Sequence, residues 1–167
     1  DDYFTAVDDL NDHSEDAGAA HIGETNFAAA VFYQYVCINK DLLLDNLNGD
    51  TELAQKALSA LVESMTTVAP SGKQNSFGSR AFASYVMAEK GSMQPRSLSV
   101  AYLRPVNTDN VLSDAIDSLQ NHQQKFDSVY GDCADSRYVM DVENGLGSLS
   151  ELKQFVSDDG EANYPQS

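Results

Sequence analysis

Apolar positions along the 167-residue chain follow two different periodicities, and the alternation between them predicts its elements. From Phe27 to Asn39 (FAAAVFYQYVCIN), β-branched and aromatic residues occupy both faces of an extended chain, as in a central strand buried on both sides. Asp41 to Leu47 reads as a short helix ended by Asn48-Gly49. Asp50 or Thr51 then caps a helix in which Ala54, Leu58, Leu61, Met65 and Val68 share one face, and Pro70-Ser71-Gly72 stops it. Phe82 to Ala88 and Leu98 to Leu103 read as a second and a third strand. Asp109 opens another helix with Leu112, Ile116, Leu119, Phe126 and Tyr130 along one side. Tyr138 to Val142 is a last strand, and Leu149 to Val156 a small closing helix. The polar stretch Asp8 to Asn26, with Gly18 and Gly23, reads as a loop. The order β-α-β-β-α-β predicts an α+β fold of ferredoxin-like type, with no internal repeat or low-complexity linker.

Composition narrows the class. Forty-two per cent apolar residues, with eight Tyr and seven Phe, are enough for a packed core and argue against a wholly disordered acidic chain. No apolar run approaches the roughly 20 residues of a membrane span, and the acidic opening Asp1-Asp2-Tyr3-Phe4 lacks a signal-peptide pattern. Cys37 and Cys133 form no CxxC pair, which argues against a disulfide scaffold or a zinc ribbon. A soluble cytoplasmic protein is the expectation. The opening without Met, directly on an aromatic-rich motif, suggests a fragment or a processed product.

Charge is distributed unevenly. The net charge is −16, yet residues 70–107 hold Lys73, Arg80, Lys90, Arg96 and Arg104 against Glu89 alone. Residues 1–26 hold eight acids and no Lys or Arg. Overall acidity opposes nucleic-acid binding, but screening confines that repulsion to about 8 Å at physiological salt, so a local basic strip can still hold a phosphate backbone. The alternative is a solvated face that keeps an acidic chain soluble.

The candidate chemistry is sparse. Ser71-Gly72-Lys73-Gln74-Asn75-Ser76 has a phosphate-loop flavour, but Thr67 and Gln74 stand where such a loop needs Gly and Ser or Thr. It also follows a helix instead of a strand. What remains is a Gly-hinged turn with one cation and several amide and hydroxyl donors, suited to binding a phosphodiester without hydrolysing it, or simply an ordinary helix-to-strand turn. His13, His21 and His122 match no metal-ligand spacing, no Gly-x-Ser-x-Gly elbow is present, and Cys37 reads as a core residue of the first strand. No cofactor and no metal are expected, and an enzyme is disfavoured. Tyr3 and Phe4 lead straight into the acidic loop, where two aromatics either stack against bases or pack as a short edge strand.

Taken together, Tyr3-Phe4-Thr5-Ala6-Val7-Asp8-Asp9-Leu10, Ala20-His21-Ile22-Gly23 and the Phe27–Asn39 run resemble the CasC family, the backbone subunit of the type I-E CRISPR complex Cascade. The likeness continues through Asn46-Leu47, Gly72-Lys73-Gln74-Asn75-Ser76-Phe77, Ser97-Leu98 and Pro105-Val106. It fades after about residue 107, apart from the closing stretch Leu149 to Ala162. Members of that family are roughly twice this length, and the resemblance begins near the middle of their chain. It implies the C-terminal half of such a subunit: a partial RNA-recognition-like palm over residues 27–167 and a thumb over residues 1–26.

The resemblance also implies roles. Copies would polymerise along a guide RNA beside other Cascade subunits, and the thumb would fold over the hybrid of guide and target DNA strand. Phe4 would be the wedge that interrupts stacking, with Tyr3, Thr5 and Val7 at the thumb's base. Lys73, Gln74 and Asn75 would lie near the guide backbone, with Arg80 in the same RNA-binding set. Base pairing reads the sequence in such complexes, so the protein needs only shape and charge. Two other functions compete. A truncated decoy would cap such a filament, and a metal-dependent phosphodiesterase would use His13, His21 and the neighbouring acids.

Overall fold

The computed structural model describes the backbone of Asp2–Tyr3 and Gly23–Glu24 and the chain over residues 29–158. The chain divides into two compact units, Asp1–Phe32 and Tyr33–Ser167. In the first, β1 (Asp2–Tyr3) pairs antiparallel with β2 (Gly23–Glu24), Tyr3 opposite Gly23. Gly23–Glu24 fall within the loop expected over Asp8 to Asn26 but pair as a strand, and the other residues of that expected loop lie outside the described residues.

The second unit is built by local signals that the chain states plainly. Helix α1 (Lys40–Asn46) starts where the Asn39 side chain accepts from Leu42 N at 2.9 Å. It ends on Asn48 and Gly49, both with positive φ. Helix α2 (Thr51–Thr67) is capped by Asp50, whose carboxylate accepts from Leu53 N at 3.0 Å. A single turn, α3 (Gln74–Phe77), precedes strand β3 (Tyr85–Lys90). After a 3-10 turn at Ser99–Tyr102 come α4 (Val111–Tyr130), β4 (Ser136–Asp141) and α5 (Leu149–Ser157).

Strands β3 and β4 pair antiparallel, with Val86 opposite Met140, Ala88 opposite Tyr138 and Glu89 opposite Arg137. Their period-2 alternation gives the two faces different work. One face presents Val86, Ala88, Tyr138 and Met140 to Leu152 and Phe155 of α5, which are 0% and 1% exposed, and Val62 of α2 closes this core. Burying side chains of that size stabilises by about 2 kcal/mol each. The other face carries Glu89 and Arg137, where Arg137 donates both to Glu89 and to Asp127 of α4, while Gln120 donates to the Tyr85 hydroxyl at 3.4 Å. Leu98, Ala115, Ile116 and Leu119 are buried where α4 meets the 3-10 turn. There Tyr102 donates to the Ala115 carbonyl at 3.1 Å and Ser118 to the Ala101 carbonyl at 2.9 Å.

Several expectations need correction. Residues 29–39 form no regular element, Val31, Tyr33, Tyr35, Val36 and Ile38 are exposed, and Cys37 is exposed instead of buried in a core. The composition favours a strand, but no strand among the described residues lies beside it to take its backbone hydrogen bonds. Leu98–Leu103 is a 3-10 turn and not a strand. Leu98 O accepts from Ala101 N at 2.9 Å, and the segment folds back on α4 between Pro95 and Pro105. The main sheet therefore has two strands among the described residues. The buried face of α2 carries Ala54, Leu58 and Thr66, with Val62 against the core, while Leu61 and Val68 are 40% and 69% exposed. On α4, Asn110 and not Asp109 holds the cap position, and Tyr130 is 79% exposed.

The link from β4 to α5 concentrates several constraints. Ser148 accepts from Glu151 N at 3.2 Å and donates to the Glu151 carboxylate at 2.8 Å, and Tyr138 donates to the same carboxylate at 2.9 Å. These bonds from Ser148 and Tyr138 hold the Glu151 carboxyl below its ordinary range. The Tyr138 hydroxyl also accepts from Ser148 N at 2.7 Å. Gly147 makes this approach possible: at φ +66° a Cβ there would lie 2.5 Å from the Val139 carbonyl and 2.6 Å from the Tyr138 hydroxyl. Gly147→Ala is therefore expected to destabilise the fold by about 3 kcal/mol or more. Gly145→Ala, at φ +64° but with open space around it, should cost only about 1 kcal/mol. Equal urea-unfolding midpoints for the two variants would refute this steric account.

Candidate nucleic-acid interface

The polar turn after α2 is held by its own backbone. Lys73 takes the left-handed conformation at φ 56°, unusual for a residue with a Cβ, and Gly78 does so at φ 59°. Between them Phe77 N donates to Lys73 O at 3.0 Å and Gly78 N to Gln74 O at 2.9 Å. The Gln74 amide then bridges the loop, donating to the Pro70 carbonyl and, at 2.6 Å, to the Ser79 carbonyl. Gln74 is thus half-buried and staples the turn instead of presenting itself to a ligand. Its Oε1 is buried and accepts no hydrogen bond.

Lys73 and Asn75 are exposed on the stapled turn, and Arg80 is exposed two residues past Gly78. The structure therefore brings Lys73 and Asn75 together on one rigid element and adds Arg80 at its exit. Phe4, Thr5 and Val7 lie outside the described residues, as do the side chain of Tyr3 and both His13 and His21. Tyr3 is seen only as β1 backbone, paired with Gly23.

The basic strip of residues 70–107 does not survive as one surface. Lys90 donates to the Asp158 carbonyl and sits 4.7 Å over the Phe155 ring, so it belongs to the core's edge. Arg96 turns inward to Asp127 at 2.5 Å and approaches Glu89 at 3.6 Å. Arg137 joins both acids, at 2.5 Å to Glu89 and 2.9 Å to Asp127, and Gln123 donates to Asp127 as well. The side chains of Arg96 and Asp127 are only 14% and 11% exposed. Burial works to raise the Asp127 carboxyl, but hydrogen bonds from Arg137 and Gln123 and the two guanidinium charges outweigh it and hold the group below its ordinary value. Burial likewise opposes the charge on Arg137, and Glu89 and Asp127 overcome it, raising that group further. This four-residue cluster has no sequence signature, because Glu89 and Arg137 are 48 positions apart.

Among the described residues, no group of three or more His, Cys, Asp or Glu side chains is placed to hold a metal ion. His122 is half-buried, with its ring 5.4 Å from that of Phe126. No helix among these residues is long and apolar enough to cross a membrane.

An acidic α+β protein with one stapled, cation-bearing turn at its surface is the class that fold and site define. The chain belongs to the CT1975-like protein family, a Cas7-like CRISPR family, whose profile matches residues 1–158. It is also similar in structure to a chain of a solved "CRISPR RNA-guided surveillance complex", with a TM-score of 0.70 and 31% sequence identity. That likeness covers 91% of this chain and 57% of the other, so the chain spans little more than half the length of its structural relative. No curated protein matches it.

The charge cluster yields a pH prediction with a definite sign. The native Asp127 carboxyl lies below its ordinary value of 3.8. Its contribution is thus fully present above about pH 4 and is lost as pH falls through that value towards the lower native one. Asp127→Asn should lower stability at pH 7 by about 3 kcal/mol, by leaving two partly buried guanidinium groups short of a partner. It should also flatten the decline below pH 4. Urea unfolding at pH 7, 5, 4 and 3 checks this, and an acid limb as steep as in the unsubstituted chain would count against it.

Proposed function

We propose that this chain is a non-catalytic, guide-RNA-binding part of a type I-E CRISPR surveillance complex, representing the C-terminal half of its CasC-type backbone subunit. The observation that carries the reading is the family match across residues 1–158, joined by the 31% identity to a surveillance-complex chain. In this reading residues 27–167 complete a ferredoxin-like, RNA-recognition-like palm, and residues 1–26 form a thumb. The partners are the guide RNA, the target DNA strand, further copies of the subunit and other Cascade subunits, in the cytoplasm.

The physical division of labour is simple. Lys73 supplies a point charge to a guide phosphate, Asn75 a neutral donor to phosphate or sugar, and Arg80 a second cation just past the turn. Gln74 holds the turn's shape, so its part in binding is to position its neighbours. None of these contacts discriminates bases, which suits a surface that must grip any guide. Phe4 inserts beside a base pair of the hybrid and replaces a stacking neighbour, with Tyr3, Thr5 and Val7 at its base. The −16 charge does not forbid this, because contacts form within a screening length.

Two substitutions in the assembled complex test the reading. Lys73→Ala should weaken guide-RNA retention and reduce the salt dependence of binding by roughly 0.7 in log–log slope, the value for one phosphate contact on a single strand. Lys56→Ala removes the same charge from a site 69% exposed on α2 and should leave both unchanged. Phe4→Ala should retain the guide but abolish the unstacked-base fluorescence of 2-aminopurine placed in the target strand. Equal effects of Lys73→Ala and Lys56→Ala, or an unchanged fluorescence signal in Phe4→Ala, would overturn the corresponding role.

A further inference from the structure

Two Asn–Gly pairs occur in the chain, Asn48–Gly49 and Asn144–Gly145, and both are exposed. A glycine after asparagine puts no side chain in the way of one reaction. The glycine nitrogen gives up its proton to water or hydroxide and bonds to the asparagine Cγ. The Cγ–Nδ2 bond then breaks, and the nitrogen leaves as ammonia with a proton taken from solvent. One water opens the five-membered imide that remains, leaving a carboxylate on Asp or on its β-linked isomer. Amide and water thus become acid and ammonia, with no oxidant or reductant. In a folded chain the rate depends on what holds the glycine N–H and on how much backbone must open for it to turn towards Cγ.

The two turns hold that N–H differently. Gly49 N donates to Leu44 O at 2.9 Å, flanked by the bonds from Asn48 N to Asp45 O at 3.0 Å and from Asp50 N to Leu47 O at 3.1 Å. These bonds close α1, and Asp50 caps α2 from the same turn, so freeing Gly49 N disturbs two helix ends together. Gly145 ends the loop 142–145, which the Asp141–Leu146 bridge closes. Its N–H reaches the Val142 carbonyl only at 3.4 Å, longer than an ordinary hydrogen bond. A Cβ added at Gly145 would meet nothing within 4 Å. The bonds that close the loop, between Asp141 and Leu146 at 2.9 Å in each direction, need not break for its tip to turn. One side chain restrains that tip: the Asp141 carboxylate accepts from Asn144 N at 3.1 Å and from Asn144 Nδ2 at 2.8 Å.

We infer that Asn144 is the site at which this chain is covalently modified with age, its amide converted to a carboxylate through attack by Gly145 N, while the helix ends protect the same dipeptide at Asn48. The product matters because of where it forms. The new carboxylate replaces the amide donor 2.8 Å from Asp141 Oδ2, so two like charges meet at a residue that is 1% exposed. Ser148, the cap of α5, follows shortly along the chain, so the damage falls on the β4–α5 link.

The test incubates the chain at pH 8, folded and in urea, and follows both asparagines by peptide mass mapping. The ratio of the Asn144 rate to the Asn48 rate should be at least about tenfold higher in the folded chain than in urea, where the dipeptide alone sets each rate. Gly145→Ala places a methyl group beside the attacking nitrogen, in open space, and should slow the change at Asn144 about tenfold or more. Asn144→Asp, which carries the charge of the product, should lower the urea-unfolding midpoint further than Asn48→Asp does. A ratio no higher in the folded chain than in urea would overturn the inference, as would a rate at Asn144 that Gly145→Ala leaves unchanged. Equal midpoints for the two Asp variants would overturn the consequence drawn for the β4–α5 link.

Discussion

The seating of α5 on the β3–β4 pair is the interaction on which the rest of the second unit depends. Two strands alone hold together weakly, because each residue has a neighbour on one side only and neither face is dry. Leu152 and Phe155, themselves fully buried, cover one face of the pair, and Val62 lets α2 share the same core. Polar details then fix how α5 enters and leaves. At its start the Ser148–Glu151 capping box is tied to the sheet through the Tyr138 hydroxyl. At its end the Asp158 carbonyl accepts from both Lys40 and Lys90, two cations at the negative pole of the helix. One short helix thereby gathers α1, α2, β3 and β4.

Charge does opposite jobs on the two faces of that sheet. On the α5 face it acts at the rim, where Lys153 pairs with Glu63 across α5 and α2 and Lys90 covers the Phe155 ring. On the α4 face it acts as the contact itself, since Arg96 and Arg137 with Glu89 and Asp127 occupy the place that apolar side chains fill elsewhere. Such a cluster adds little net stability over a hydrophobic replacement, but it penalises any arrangement in which one member is lost. It also lowers the positive charge available outside, so counting basic residues in a stretch of sequence overstates the electropositive surface.

What was legible in the sequence was whatever a short window contains. The periodicity of α2, α4 and α5, the Asp50 cap and the β3 and β4 segments all follow from residues within one or two turns of each other. The errors share a cause. Leu98–Leu103 has the composition of a strand, but its fate was decided by hydrogen bonds to Ala115 and Ser118 on a helix further along the chain. Leu61 and Val62 are adjacent and equally apolar, and only the position of α5 decides that Val62 faces the core. At the candidate site the bracketing glycines made an exposed polar turn readable, and Lys73 and Asn75 stand on it as the pattern suggests. The role of Gln74 was hidden, because an amide in such a turn can point outward or inward and nothing local decides between them.

That inward amide changes what the turn can offer a ligand. A flexible loop bearing one lysine would lose conformational freedom on meeting a phosphate, at a cost of about 1 kcal/mol for each residue ordered. Here the bonds from Gln74 to Pro70 and Ser79, with the left-handed Lys73 and Gly78, hold the turn before any ligand arrives. The affinity of a single charge–phosphate contact is small, so a surface that repeats such contacts along a polymer gains most from having the ordering done in advance. The same rigidity limits information. A lysine ammonium and a side-chain amide carried on such a turn, with no bidentate fork aimed at base edges, would respond to the spacing of phosphates and not to the order of bases. In the proposed function, such a turn would hold a nucleic-acid strand whose sequence is left free to pair.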